Sequence, residues 1–153
     1  MPDGELTPQE EAEKLIKRAR IKAREIETKI EEAGGAYSAL VYDAYNAMFM
    51  AARAALHYLD IPSSSHRTVA SHYKHDIVEK GLIPSKFADH LQKIMVYWEE
   101  EQQGTKHEID EARARRISEA TKEVVDELAV VAGVKVPGHG AGSGIDRRLY
   151  TGQ

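Results

Sequence analysis

The sequence predicts an all-α protein, an up-and-down bundle of four or five helices, and three observations carry that expectation. Apolar residues recur every three or four positions through most of the chain, the period of an amphipathic helix. Helix-opening patterns, Thr7-Pro8-Gln9-Glu10 and Thr105-Lys106-His107-Glu108, alternate with glycines placed to end helices. No segment reads as a strand candidate, and there is no internal repeat.

The elements follow in order. Thr7 suits a cap, Pro8 the first helical position and Glu10 the far side of a capping box. Ala12, Leu15, Ile16, Ala19, Ala23, Ile26 and Ile30 then form one apolar stripe that Gly34-Gly35 ends. Lys14, Lys17, Arg18, Lys22, Arg24 and Lys29 fill the other faces beside Glu11, Glu13, Glu25 and Glu27, so this basic strip reads as solvated. A second helix is expected from about Ala36 to Leu59. Its small alanine side chains let neighbouring helices approach closely, while Tyr45, Phe49, Leu56 and Leu59 supply bulk.

Arg53 and His57 lie four residues apart in that helix and share a face. Arg53 is therefore a candidate ligand-binding residue for a phosphate or nucleotide. The competing reading pairs it with a carboxylate across the bundle, for which Asp43 and Asp60 are available. Ile61-Pro62-Ser63-Ser64-Ser65 breaks the chain, and Ser65 is placed to cap a third helix from His66 to about Lys80, stopped by Gly81 and Pro84. A fourth helix spans about Ser85 to Gln103, with Phe87, Leu91, Ile94, Met95 and Trp98 as its stripe. Gly104 ends it, and the capping box at Thr105 opens a fifth helix to about Ala132. The fifth stripe is Ile109, Ala112, Ile117, Ala120, Val124, Val125, Leu128 and Val131.

Residues 1–132 thus read as one bundle and residues 133–153 as a glycine-rich linker and tail. The tail from Ile145 to Gln153 carries Arg147 and Arg148 between apolar residues. It reads either as a disordered end or as a peptide that docks on a partner or a second subunit.

Composition removes several function classes. A chain of 153 residues is large enough for one core but not for two. It contains no cysteine, which excludes disulfides, zinc ribbons and thiol catalysis. A net charge of -4 gives no electrostatic reason for tight nonspecific nucleic-acid binding. The acidic start is not a secretory signal, and no apolar run approaches the roughly 20 residues a bilayer requires, so a soluble cytoplasmic protein is expected. His72 and His75 share a helical face and would need His66 or Asp76 to complete a metal site. Polar-face histidines are the simpler reading, and neither metal nor cofactor is expected.

Tyr45-x-x-x-Phe49-x-Ala51-Ala52-Arg53-Ala54-x-Leu56 resembles the second helix of the HEPN domain family. The polar turn before His66, the short third helix, the Lys80-Gly81-Leu82-Ile83-Pro84 hinge and the fourth helix fall in that family's order, over roughly residues 8–131. The resemblance implies a homodimeric helical bundle linked to nucleotides and RNA. It also implies a component of a toxin–antitoxin-like or defence-related pair, with a nucleotidyltransferase-type partner. Some members are metal-independent ribonucleases whose signature is an arginine followed after four to six residues by a histidine, late in the bundle and shared across a dimer cleft. Histidine suits the proton transfer, and a guanidinium stabilises charge on the phosphoryl oxygens.

Where that signature is expected, this chain reads Tyr97-Trp98-Glu99-Glu100-Glu101-Gln102-Gln103-Gly104-Thr105-Lys106-His107, with three glutamates and no arginine. A formal match, Arg67-Thr68-Val69-Ala70-Ser71-His72, lies in the third helix. A ribonuclease is therefore an alternative, with Arg67 and His72, or His107 with a distant arginine, as its candidate catalytic residues. A noncatalytic interaction module acting through the C-terminal tail is the other.

Overall fold

A computed structural model describes residues 6–32, 37–63, 65–87, 89–104 and 109–134. They form five α-helices: α1 (Pro8–Glu32), α2 (Leu40–Tyr58), α3 (His66–His72), α4 (His90–Gln102) and α5 (Glu111–Val131). The protein is an all-α bundle, with no strand among the described residues. No helix among them is long and apolar enough to cross a membrane.

Helix α2 is the axis of the bundle and packs against α1, α5, α4 and α3. Ala44, Ala47, Ala51, Ala52, Ala54 and Ala55 are all fully buried, so α2 lacks the single apolar stripe of a surface helix and is enclosed on most sides. Alanine makes this enclosure feasible because four neighbours can approach one backbone without overpacking. Tyr45, Met48 and Leu56 fill the wider gaps and are likewise buried.

Helix α1 follows its expected pattern. The Thr7 N–H donates to Glu10 Oε1 and the Glu10 N–H to Thr7 Oγ1, both at 3.1 Å, completing the capping box. The bonds from Thr7 hold the Glu10 carboxyl below the usual range. Every residue of the expected stripe is buried except Leu15, which is half-buried at its edge. One ion pair crosses to α2: Lys29 Nζ lies 2.7 Å from Oδ2 of Asp43, which is only 7% exposed.

The remaining elements start later or wind differently than the sequence pattern predicts. A 3₁₀ turn at Tyr37–Ala39 precedes α2, so that helix begins at Leu40. Ser65 caps α3 as expected, in a capping box with Thr68, but α-helical winding stops at His72 and a π-helical stretch, Tyr73–Val78, follows. The wider turn places Tyr73, Ile77 and Val78 together in the core, and the Tyr73 hydroxyl donates to the Phe87 carbonyl at 2.7 Å. Burial pushes that phenol's pKa well up. Ser85–Phe87 is a separate 3₁₀ turn, so α4 starts at His90.

Residues 105–108, including His107, lie outside the described residues. Ile109 and Asp110 are not helical, so α5 starts at Glu111 rather than Thr105. Asp110 caps it, with Oδ1 accepting from the Arg113 N–H at 2.7 Å. Its buried face runs through Ala114, Ile117, Ser118, Thr121, Val124, Val125 and Leu128, while Ala112 is exposed. Two small hydroxyl residues hold positions that a purely apolar count assigns elsewhere. The expected linker and tail beyond Val134 are outside the described residues.

Helix α5 ends on Gly133, where the Gly133 N–H donates to the Val130 carbonyl and the Val134 N–H to the Ala129 carbonyl. Gly133 has a φ of 76°, and a Cβ there would lie 2.9 Å from the Tyr58 ring at the end of α2. Gly104, with a φ of 92°, has open space around it. Gly104→Ala is expected to cost about 1 kcal/mol through backbone strain alone. Gly133→Ala should cost more, by about a further 1 kcal/mol, because the methyl also dislodges Tyr58. In a Tyr58→Ala background the two substitutions should become equal, as read by denaturant or thermal unfolding.

Candidate functional site

The first turns of α1 and the last turns of α2 run side by side and enclose a groove of about 320 Å³. Lys14 and Arg18 project from α1, and Arg53 and His57 from α2. Each pair is four residues apart, so each lies on one helix face. Leu6, Leu15, Ile61 and Pro62 form its apolar wall, and Glu11 and Ser63 complete it. The wall depends on how α2 ends. Asp60 takes a φ of 61°, a role usually filled by glycine, and its N–H and that of Ile61 bond back to the His57 and Leu56 carbonyls. This tight turn folds Ile61, Pro62 and Ser63 over the groove.

The electrostatics of the groove are unbalanced. His57 Nε2 lies 2.7 Å from Glu11 Oε2. Among the described residues, no carboxylate lies in ion-pair range of Lys14, Arg18 or Arg53. Of the partners that the sequence offered Arg53, Asp43 pairs with Lys29, and Asp60 makes no ion pair with Arg53 among the described residues. Three cations beside one another repel, and a bound anion removes that cost. The groove also holds an orphan group, since Ser63 Oγ is buried with no hydrogen-bond partner among the described residues.

The other candidates occupy different places. Arg67 is exposed in the first turn of α3, and His72 closes the same helix. Five residues of α-helix set their side chains about 140° apart. His72 Nδ1 is instead 2.6 Å from Asp76 Oδ2, and Lys80 flanks the same carboxylate at 3.4 Å. The bonds from His72 and Lys80 hold Asp76 below the usual carboxylate range. His75 pairs separately with Glu79 at 3.0 Å. No group of three or more His, Asp or Glu among the described residues is placed to hold a metal ion. His107 lies outside the described residues.

Sequence reasoning found Arg53 and His57 but assigned Lys14 and Arg18 to a solvated face. The signal lay in the register. Counting outward from the connection between the first two helices of an antiparallel hairpin, Lys14 and Arg18 fall opposite His57 and Arg53.

The model of the HEPN domain family matches residues 9–131, most of the chain and all five helices. No curated protein matches the sequence.

One histidine stands out for its burial rather than its neighbours. His90 opens α4 with Nε2 buried and without a partner among the described residues, and burial, aided by nearby Lys93, pushes its pKa down to about 4. His90 is thus neutral in the fold between pH 4 and 6.5, whereas the unfolded chain binds a proton there. Stability is therefore present above about pH 6.5 and is lost as pH falls toward 4. Between pH 7 and pH 5 the expected loss is about 2 kcal/mol. His90→Gln should remove most of that pH dependence in urea unfolding, whatever it does to stability at pH 7.

Proposed function

The chain belongs to the HEPN domain family, and from that premise we propose that it works by binding a phosphorylated ligand in the α1–α2 groove. The observation that carries this reading is the convergence of Lys14, Arg18 and Arg53 beside the buried Ser63 hydroxyl, none of them with an ion-pair or hydrogen-bond partner in the groove among the described residues. Guanidinium groups suit phosphate because their donors match its oxygens in pairs. A groove of about 320 Å³ suits a small phosphorylated group rather than an RNA tract. The net charge of -4 and the Glu99-Glu100-Glu101 run on α4 also argue against a continuous basic path for RNA. Within the family context, a homodimer in a toxin–antitoxin-like or defence-related pair with a nucleotidyltransferase-type protein is the proposed setting.

A second reading, RNA cleavage, has one observation in its favour. Glu11 orients His57 on the same face as Arg53, which supplies a proton acceptor beside a phosphate-binding guanidinium. The Arg67 and His72 alternative has no comparable convergence.

Arg18→Ala and Arg53→Ala should each weaken binding of a nucleotide about tenfold in calorimetry at low salt, as expected for losing one charge-assisted contact. Both side chains are exposed, so unfolding midpoints should scarcely move. Glu11→Gln should strengthen binding by removing the one groove carboxylate. Unchanged affinity in the Arg18→Ala/Arg53→Ala double variant overturns the assignment. Cleavage of single-stranded RNA in chelator, lost in His57→Ala, would establish the second reading.

A further inference from the structure

Tyr45 and Phe49 of α2 cluster with His66 of α3 and Trp98 of α4, one turn of α2 away from the groove residue Arg53. Tyr45, Phe49, Arg53 and His57 follow one another at four-residue intervals, so the ridge passes from two aromatic rings to the two groove residues. Ile61, Pro62 and Ser63 line the groove, while His66 lies among the rings. The His66 ring stacks on Phe49 at 4.3 Å and 18°, and on Trp98 at 5.7 Å and 5°. Tyr45 stacks on Trp98 at 5.0 Å and 14°, and its hydroxyl is hydrogen-bonded to His66 Nδ1. Phe49 and Trp98 touch His66 but make no ring contact with each other.

We propose that His66 occupies a nucleobase slot, and that a nucleoside phosphate binds with its phosphate in the α1–α2 groove and its base in place of the His66 ring. The proposal rests on the phosphate-binding reading of the groove and adds the part of the ligand that the groove leaves unread. The groove's wall has no Phe, Tyr or Trp, and its one imidazole, His57, is paired with Glu11, so the larger stacking surface lies in the ring cluster. One helical turn separates Phe49 from Arg53, about 6 Å of rise, a distance that a ribose bridges between base and phosphate.

His66 is suited to leave. It is an exposed residue at the first position of α3, a helix of seven residues, so its side chain can swing out without disturbing the core. Its departure leaves a flat gap bounded by Phe49, Trp98 and Tyr45. One donor then serves an incoming base. The Tyr45 hydroxyl stays protonated, because burial, with nearby Glu99, pushes its pKa up to about 12. Stacking on aromatic rings selects flat bases over bare phosphates or sugar phosphates, by about tenfold or more.

The test compares ligands that share a phosphate and differ in the base, using the full chain. Trp98 is the only tryptophan, so its emission reports on the slot directly. Adenosine 5′-monophosphate should bind about tenfold or more tighter than ribose 5-phosphate in calorimetry and should quench Trp98 emission over the same concentration range. His66→Ala should tighten the nucleotide severalfold and leave ribose 5-phosphate unchanged. If both ligands bind equally and depend on Arg53, the slot is overturned and the groove reading stands. If neither binds, both readings fall. Tighter nucleotide binding without quenching places the base elsewhere and also overturns the slot.

Discussion

Enclosure of one helix by four others sets the terms for the rest of this structure. Helix α2 buries alanines on nearly every side. Its neighbours lie close because those side chains are short, and close packing recovers dispersion contacts that larger, poorly fitted residues would lose. A branched residue at Ala51 or Ala55 would force α1, α4 or α5 outward, and the positions of the other helices would shift with it. The fold therefore depends less on any polar contact than on the absence of side-chain volume along a single helix.

That constraint also locates the chemistry. An enclosed helix has little surface for charged residues, so Arg53 and His57 sit in the narrow gap where α2 runs alongside the start of α1. The flank of α1 that faces them carries Lys14 and Arg18, beyond the edge of its apolar stripe at Leu15. Farther along the same seam the arrangement differs, because Lys29 meets Asp43 and the charges cancel. Two parts of one helix pair thus have opposite characters. One is a neutralised structural contact, and the other is a cluster of like charge held together by backbone packing.

The fold was legible in the sequence wherever period and capping agreed. Thr7, Pro8 and Glu10 opened α1 as expected, and its stripe was read almost residue for residue. The sequence was less informative where tertiary contacts override local pattern. The change to π-helical winding at Tyr73 serves a buried hydroxyl bond to Phe87, a contact made with a residue fourteen positions away. Thr105 has a formal capping pattern, yet Asp110 takes that role. The groove was half-legible for a similar reason. Arg53 and His57 share one helix and so reveal themselves by spacing, whereas Lys14 and Arg18 acquire meaning only when the helix register is known.

The balance of charge in the groove bears on selectivity as well as affinity. A protein of net charge -4 repels polyanions, but at physiological salt that repulsion is largely screened beyond a Debye length of about 8 Å. A short phosphate that reaches the groove meets the local cations directly, while an extended polyanion also meets the net negative charge of the rest of the chain. Glu11 limits the cluster on one side, because its carboxylate is paired with His57. Under the proposed reading, such a bounded cluster suits a single phosphorylated group better than a strand. The ring stack farther along α2 is then the natural place for whatever the phosphate carries.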